Sequence, residues 1–185
     1  LVGSEMCIRD RTLPWMSIGY ETQVPPMNIL TFYNAIANNG VMVRPKFVKA
    51  AVKDGEVVKE YPTEVINPKI CSDHTLTQIR EILRKVVSQG LAKPAGSKQF
   101  SVSGKTGTAQ NRGKDHSVFM GFAPMDNPKI AIAVYVENGG FGATYGVPIG
   151  AMMMDQYLHG KLSPENEIRA EEFSNRVILY GDEER

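Results

Sequence analysis

Residues 99–110, QFSVSGKTGTAQ, alternate large and small side chains and lack helical spacing, so they are read as a strand. Inside that stretch, Ser103-Gly104-Lys105-Thr106-Gly107-Thr108-Ala109-Gln110 packs a cation, two threonine hydroxyls and two glycines into a few positions. The pleat of a strand sends Lys105, Gly107 and Ala109 to one face and Thr106 and Thr108 to the other. Gly107 lets a second backbone or a ligand come close. At a sheet edge, such a strand offers N–H donors to a bound peptide and to a developing oxyanion, and it brings a lysine charge to a carboxylate.

A phosphate cradle is the first alternative, because Gly104-Lys105-Thr106 looks like the end of a P-loop. That motif needs a glycine five positions before Gly104, where this chain has Gln99. It also needs a helix after the Lys-Thr pair, and Gly107, Gly113 and the polar run Gln110–Asp115 argue against one. The reading fails on both counts.

Working outward, Ser117–Phe122 and Lys129–Glu137 read as two further strands joined by the turn Pro124-Met125-Asp126-Asn127-Pro128. With the motif strand they suggest an antiparallel meander. Upstream, Met27–Asn39 reads as a helix: Pro26 suits its first turn, Ile29, Phe32, Tyr33 and Ile36 share a face, and Gly40 stops it. Val41–Val52 and Val57–Tyr61 read as strands joined at Lys53-Asp54-Gly55, a hairpin signal. Ser72 or Asp73 caps a stronger helix with the stripe Leu76, Ile79, Leu83, Val86 and Val87, closed by Gly90. Downstream, Gly139, Gly140 and Gly142 make a flexible connection to a helix carrying Val147, Met152, Met153 and Tyr157. Ser163-Pro164 then opens a charged final helix. The expected fold class is α+β, an antiparallel sheet flanked by helices, with the helices packed on one side of it.

Composition narrows the function. The 185 residues are 42% hydrophobic and 22% charged, enough to bury a core. Lys+Arg number 21 and Asp+Glu 20, for a net charge of +1, which argues against gripping nucleic acid through bulk charge. Two cysteines, Cys7 and Cys71, make neither a disulfide framework nor a four-cysteine zinc site. His74, His116 and His159 are far apart, so no metal or cofactor is expected. His74 and His159 read as helix-end residues, and His116 as solvent-exposed more than substrate-proximal. Met152–Met154 reads as core filling, Glu165–Glu172 as a solvated helical face, and Phe32, Tyr33 and Trp15 as packing aromatics. No apolar run approaches the length of a membrane span.

The extended string around Lys105-Thr106-Gly107 resembles the Lys-Thr-Gly element of penicillin-recognising serine acyltransferases. Ser17-Ile-Gly-Tyr, Pro25–Gly40 (PPMNILTFYNAIANNG), Val43-Arg-Pro-Lys-Phe-Val, Gly121-Phe-Ala-Pro and Asn127-Pro-Lys-Ile-Ala-Ile-Ala-Val all resemble class B high-molecular-weight penicillin-binding proteins. Up to about Ala109 the text is more similar to the division-type branch, and from Asp115 onward to the rod-elongation branch, as a joining of two related sequences would produce. The resemblance covers about Trp15 to Gly160. It implies a partial penicillin-binding/serine β-lactamase-like transpeptidase domain at 12–160. The charged residues after it read as a C-terminal helical tail at 161–185, and Leu1–Arg11, without periodicity or turn chemistry, as a non-native or disordered start at 1–11.

The activity implied is serine acyl transfer between peptidoglycan stem peptides. Lys105 would set the electrostatics beside the nucleophile and substrate carboxylate. Thr106 and Thr108 would hydrogen-bond that carboxylate and the peptide, with Gly107 between them and the Thr108 N–H as an oxyanion donor. Implied partners are the stem peptide, β-lactams and proteins of the elongation or division machinery, at the outer face of the cytoplasmic membrane through an N-terminal anchor. The departure from the family is plain: none of the ten serines has Lys three residues on or Asn two residues on, so the Ser-x-x-Lys nucleophile and the Ser-x-Asn element are absent. The chain is expected to be inactive alone and to leave an apolar face of its sheet open to water. The rival expectation is a non-catalytic peptidoglycan- or partner-binding module of the same fold.

Overall fold

The computed structural model describes residues 12–17, 19, 24–110 and 113–176. The start at 1–11, the end of the tail at 177–185 and the side chain of Trp15 lie outside the described residues. After a short helix, α1 (Thr12–Ser17), α2 (Pro26–Ala37) begins where proline pre-sets the first turn. Asn39 and Gly40 then turn the chain out with positive φ, and the Gly40 N–H donates to Ala35 O at 2.8 Å. Ala35, Ile36 and Ala37 are its buried residues, whereas Phe32 is exposed, so the inward face is narrower than the apolar spacing suggests.

The single strand expected over Val41–Val52 is two. β1 (Met42–Val43) stops before Pro45, which has no N–H to give a ladder, and β2 (Ala50–Lys53) starts afresh. β2 pairs with β3 (Glu56–Glu60) across Asp54 and Gly55, both at positive φ as the hairpin signal requires. β1 pairs with β4 (Val65–Asn67), a three-residue strand too short to announce itself by alternation.

α3 (Asp73–Ser88) has Ser72 at its N-cap, the hydroxyl accepting from the Thr75 N–H at 3.1 Å. Leu76, Leu83 and Val87 are buried, as the stripe predicts. A 3-10 turn at Lys93–Ala95 leads to the main sheet of β5 (Ser103–Ala109), β6 (His116–Ala123) and β7 (Ile130–Val136), antiparallel in the order β5-β6-β7. α4 (Gly146–His159) ends on left-handed Gly160, and α5 (Pro164–Ser174) follows.

Helices cover both sides of this sheet, not one. Phe119 and Ala123 of β6 share a buried cluster with Ile132 and Val134 of β7, Val147, Ala151 and Met154 of α4, and Val87 of α3. Phe122, on the opposite face of the same strand, packs with Ile36 and Ala37 of α2 and Leu76 and Leu83 of α3. β6 is buried at every position from Phe119 to Ala123, so both of its faces need a covering layer, and a one-sided arrangement would leave Phe122 in water. The face carrying Lys105 is therefore open only toward one end, where Tyr135 is exposed and Gly107 and Val118 are half-buried; Met120, opposite Lys105, is buried.

α5 is docked by a buried polar network. Asp155 of α4, 4% exposed, accepts from the Ser163 N–H at 2.9 Å and from Asn166 Nδ2 at 2.7 Å. Arg169 joins it, donating to Asn166 Oδ1 at 2.8 Å and Pro94 O at 3.0 Å. The Ser163 side chain itself makes no cap bond, so proline and the Asp155 carboxylate fix this helix start. In the methionine run only Met154 is fully buried, and Met153 is exposed.

Candidate functional site on the edge strand

β5 has β6 on one side and no strand on the other among the described residues, so the motif lies on a sheet edge. Three devices hold it there. At its start, Arg84 of α3 donates from Nη1 to Val102 O at 3.3 Å. Beneath it, Gly104 sits against the Phe119 ring: a Cβ at Gly104 would meet Cζ at 2.7 Å and the Met120 carbonyl oxygen at 2.7 Å. Glycine is required by that packing and not by a turn. At its far end, Gly107 is overlain by Gly142, whose missing Cβ would fall 2.4 Å from Gly107 O.

The side chains divide as the pleat dictates. Ser103 is fully buried beside Phe122, its opposite number in the ladder, and its hydroxyl has no partner among the described residues. Lys105 is exposed on the same face, and its ammonium curls over the strand to donate to Thr106 O at 2.7 Å and toward Thr106 Oγ1 at 3.4 Å. Thr106 and Gly107 are half-buried and Thr108 exposed. The lysine and the threonines thus leave opposite faces, and the lysine reaches Thr106 across the free edge. The Thr108 hydroxyl accepts from the Gly142 N–H at 3.3 Å.

The glycine cluster is pinned and not a loose connection. The Gly140 N–H donates to Asp115 O at 2.7 Å, and the Asn138 N–H to His116 Nδ1 at 3.0 Å. Ser117, opposite Thr108 in the register and 0% exposed, bonds the same loop through its hydroxyl. These partners escape a reading of the sequence because glycines signal freedom, while the acceptors that take up the loop's amides come from residues 22 to 34 positions away. His116 is half-buried with its ring 5.1 Å from that of Tyr135, so it is more enclosed than expected. Among the described residues no group of three His, Cys, Asp or Glu could hold a metal ion. A cleft of about 290 Å³ opens between α2 and the β7 edge, lined by Asn34, Val43 and Ala131 among others, two strands away from Lys105. No described helix is long and apolar enough to cross a membrane.

Arg80 of α3 is a further charged group beside the sheet. Its guanidinium donates to Ile36 O at 2.9 Å, Ala37 O at 2.7 Å and Asn39 Oδ1 at 3.1 Å, closing the C-terminus of α2, and burial lowers its pKa.

Residues 12–157 match the family described as the penicillin binding protein transpeptidase domain. The stage V sporulation protein D of Bacillus subtilis is 34% identical over 154 residues, covering 75% of this chain and 24% of that protein. The peptidoglycan D,D-transpeptidase MrdA of Haemophilus influenzae is 29% identical over 78% of this chain and 25% of its own length. Among solved structures, the imipenem acyl-enzyme complex of penicillin-binding protein A from M. tuberculosis superposes with a TM-score of 0.72 at 26% identity, covering 80% of this chain and 34% of that one. The chain spans about a quarter of the length of these two curated relatives.

Proposed function

Because this chain belongs to the penicillin-binding protein transpeptidase family, we propose that it is the C-terminal portion of a peptidoglycan D,D-transpeptidase, with the transpeptidase part at 12–160. In this reading a serine supplied by the preceding part of the enzyme attacks the carbonyl of the D-Ala–D-Ala bond. The terminal D-Ala leaves as its amine, and the acyl group passes from the serine oxygen to an amine of a neighbouring strand. Residues of this chain supply the other half of the site. The Lys105 ammonium stands beside the nucleophile and the substrate carboxylate, Thr106 and Thr108 donate hydrogen bonds to that carboxylate and the peptide, and the Thr108 N–H is one oxyanion donor. Losing one such donor commonly costs about 10²–10³ in rate.

The observation that supports this most is the exposure of Lys105 on an edge strand, paired on one side only among the described residues, whose Gly104 and Gly107 are packed against Phe119 and Gly142. A free edge accepts an extended peptide by main-chain pairing, and a rigid one does so with little ordering cost. β-Lactams are expected as suicide substrates, the stem peptide as the physiological one, elongation or division proteins as partners, and the outer face of the cytoplasmic membrane as the location. None of the ten serines is followed by lysine at the third position, so the 185-residue chain alone forms no acyl-enzyme.

That same missing Ser-x-x-Lys favours a second reading, a module that binds peptidoglycan without turning it over. Fluorescent-penicillin labelling separates them. The chain alone should stay dark and a version extended upstream should label; darkness in both would leave the binding module.

A further inference from the structure

We propose that Ser117 and Gly142 are positioning residues for Thr108, fixing its hydroxyl so that its proton is presented at the free edge of β5. The inference rests on the functional reading above and goes beyond it. A threonine hydroxyl has one proton to donate and two lone pairs. Here one lone pair takes the Gly142 N–H at 3.3 Å, so the proton is directed away from the loop. Thr108 is exposed, so on the proposed function that proton is turned toward the side where a ligand carboxylate would bind.

Gly142 is held in place by Ser117. The Ser117 hydroxyl donates to Phe141 O at 2.9 Å, with Gly142 O at 3.2 Å sharing the same proton, and accepts from the Gly146 N–H at 3.0 Å. One buried oxygen therefore ties three consecutive features: the Phe141–Gly142 peptides, the first residue of α4 and the strand directly opposite Thr108. Gly142 has no room for a side chain, since a Cβ would lie 2.4 Å from Gly107 O and 2.9 Å from Val118 O. The loop thus presses on the motif strand at Gly107 and hydrogen-bonds it at Thr108, and both contacts depend on the Ser117 anchor. A hydroxyl oriented before the ligand arrives loses less freedom on binding.

The test uses the full-length enzyme and two probes, benzylpenicillin and its methyl ester, which lacks the free carboxylate. The ratio of their acylation rate constants reads carboxylate recognition separately from general integrity. Thr108→Val should lower that ratio, and Ser117→Ala should lower it by roughly threefold to tenfold, the worth of one neutral hydrogen bond. The two effects should be strongly non-additive in the double variant. Equal loss on both probes, or additivity, would overturn the proposal, because a purely structural role predicts that result. Ser117→Ala removes a buried anchor, so a second measurement is made at the exposed site. Hydrogen exchange at the Gly142 amide should quicken in Thr108→Val and stay unchanged in Thr108→Ser; no change in Thr108→Val would overturn the proposal. A wild-type enzyme that fluorescent penicillin fails to label would overturn the functional reading itself, whereas a labelled one with an unmoved ratio overturns only this inference.

Discussion

Gly150→Ala tests whether a single aromatic ring sets the spacing between the motif strand and the helix behind it. A Cβ at Gly150 would lie 2.5 Å from Phe119 Cδ1, 2.9 Å from Cε1 and 3.1 Å from Ile132 Cδ1. Ordinary carbon contacts sit near 3.5–4.0 Å, so the ring would have to retreat by about 1 Å. It has little room to move: Gly104 and Gly121 line its far edge, where even an added Cβ would lie 2.7 Å and 3.0 Å from Cζ, and the ring is 0% exposed. Overpacking of this kind costs about 1–3 kcal/mol. Alanine regains about 1 kcal/mol over glycine inside a helix. The net is a loss of up to about 2 kcal/mol, read as a lower midpoint in urea unfolding followed by far-ultraviolet circular dichroism. In a Phe119→Leu background the clashing ring atoms are gone, and the same Gly150→Ala change should become neutral or stabilising. Equal effects in the two backgrounds, within about 0.5 kcal/mol, would refute the reasoning, as would a wild-type background that Gly150→Ala stabilises.

Lys105→Gln should leave the urea midpoint of the chain unchanged, because its side chain is exposed, while fluorescent-penicillin labelling of the full-length enzyme falls by about 10²-fold or more. Ser103→Ala removes a buried hydroxyl without a partner and should raise stability by about 1 kcal/mol in the same unfolding assay. Arg80→Ala strips the ligand from Ile36 O and Ala37 O and should cost about 2–3 kcal/mol; Arg80→Lys should recover only part, since an ammonium cannot reproduce the fork. Glu165 is held below its usual value of 4.5, first by a backbone hydrogen bond at the start of α5 and then by Lys98. A carboxyl whose folded-state pKa is depressed contributes stability above the unfolded value, lost as the pH falls through the folded one. A shallow acid-side decline starting below pH 4.5 should therefore flatten in Glu165→Gln, measured by thermal melts across pH.

The meander and its flanking helices were legible because their signals are local: alternation in β5 to β7, the Ser72 cap, the Asp54-Gly55 turn and the α3 stripe all lie within a few residues of what they specify. The break at Pro45 was legible in principle, and the apolar run around it outweighed it. β4 was not, since three residues carry no period and its partner β1 is 22 positions upstream at the Val43↔Val65 pair. The two-sided covering of the sheet was hidden for a different reason. Phe119 and Phe122 belong to one apolar run that alternation sends to opposite faces, and only the packing of α2, α3 and α4 shows that both faces are covered. At the site, the lysine and threonines stood out as chemistry, whereas Ser117 read as an ordinary strand serine and Gly142 as slack. Their roles exist only once residues 108, 117 and 142 meet in space.

The placement of the motif follows from the layering and not the reverse. β6, apolar on both faces, has to lie inside the sandwich, and β7 is buried at Ile132 and Val134 with Tyr135 exposed, which leaves β5 as the strand with most of the exposed positions. A strand with an unpaired edge invites a second chain to pair with it, which is a hazard in general and an advantage when the second chain is a substrate. Lysine on an edge strand is one of the devices that blunt unwanted pairing, because adding an apolar strand would bury its charge. Lys105 is placed to do that, with its ammonium lying across the edge at Thr106 O. An extended peptide that brings its own carboxylate supplies the compensating charge and escapes the penalty. On the proposed function, the same ammonium would discriminate by charge between a peptide terminus and another copy of the sheet, the selectivity that a peptide-binding edge would require.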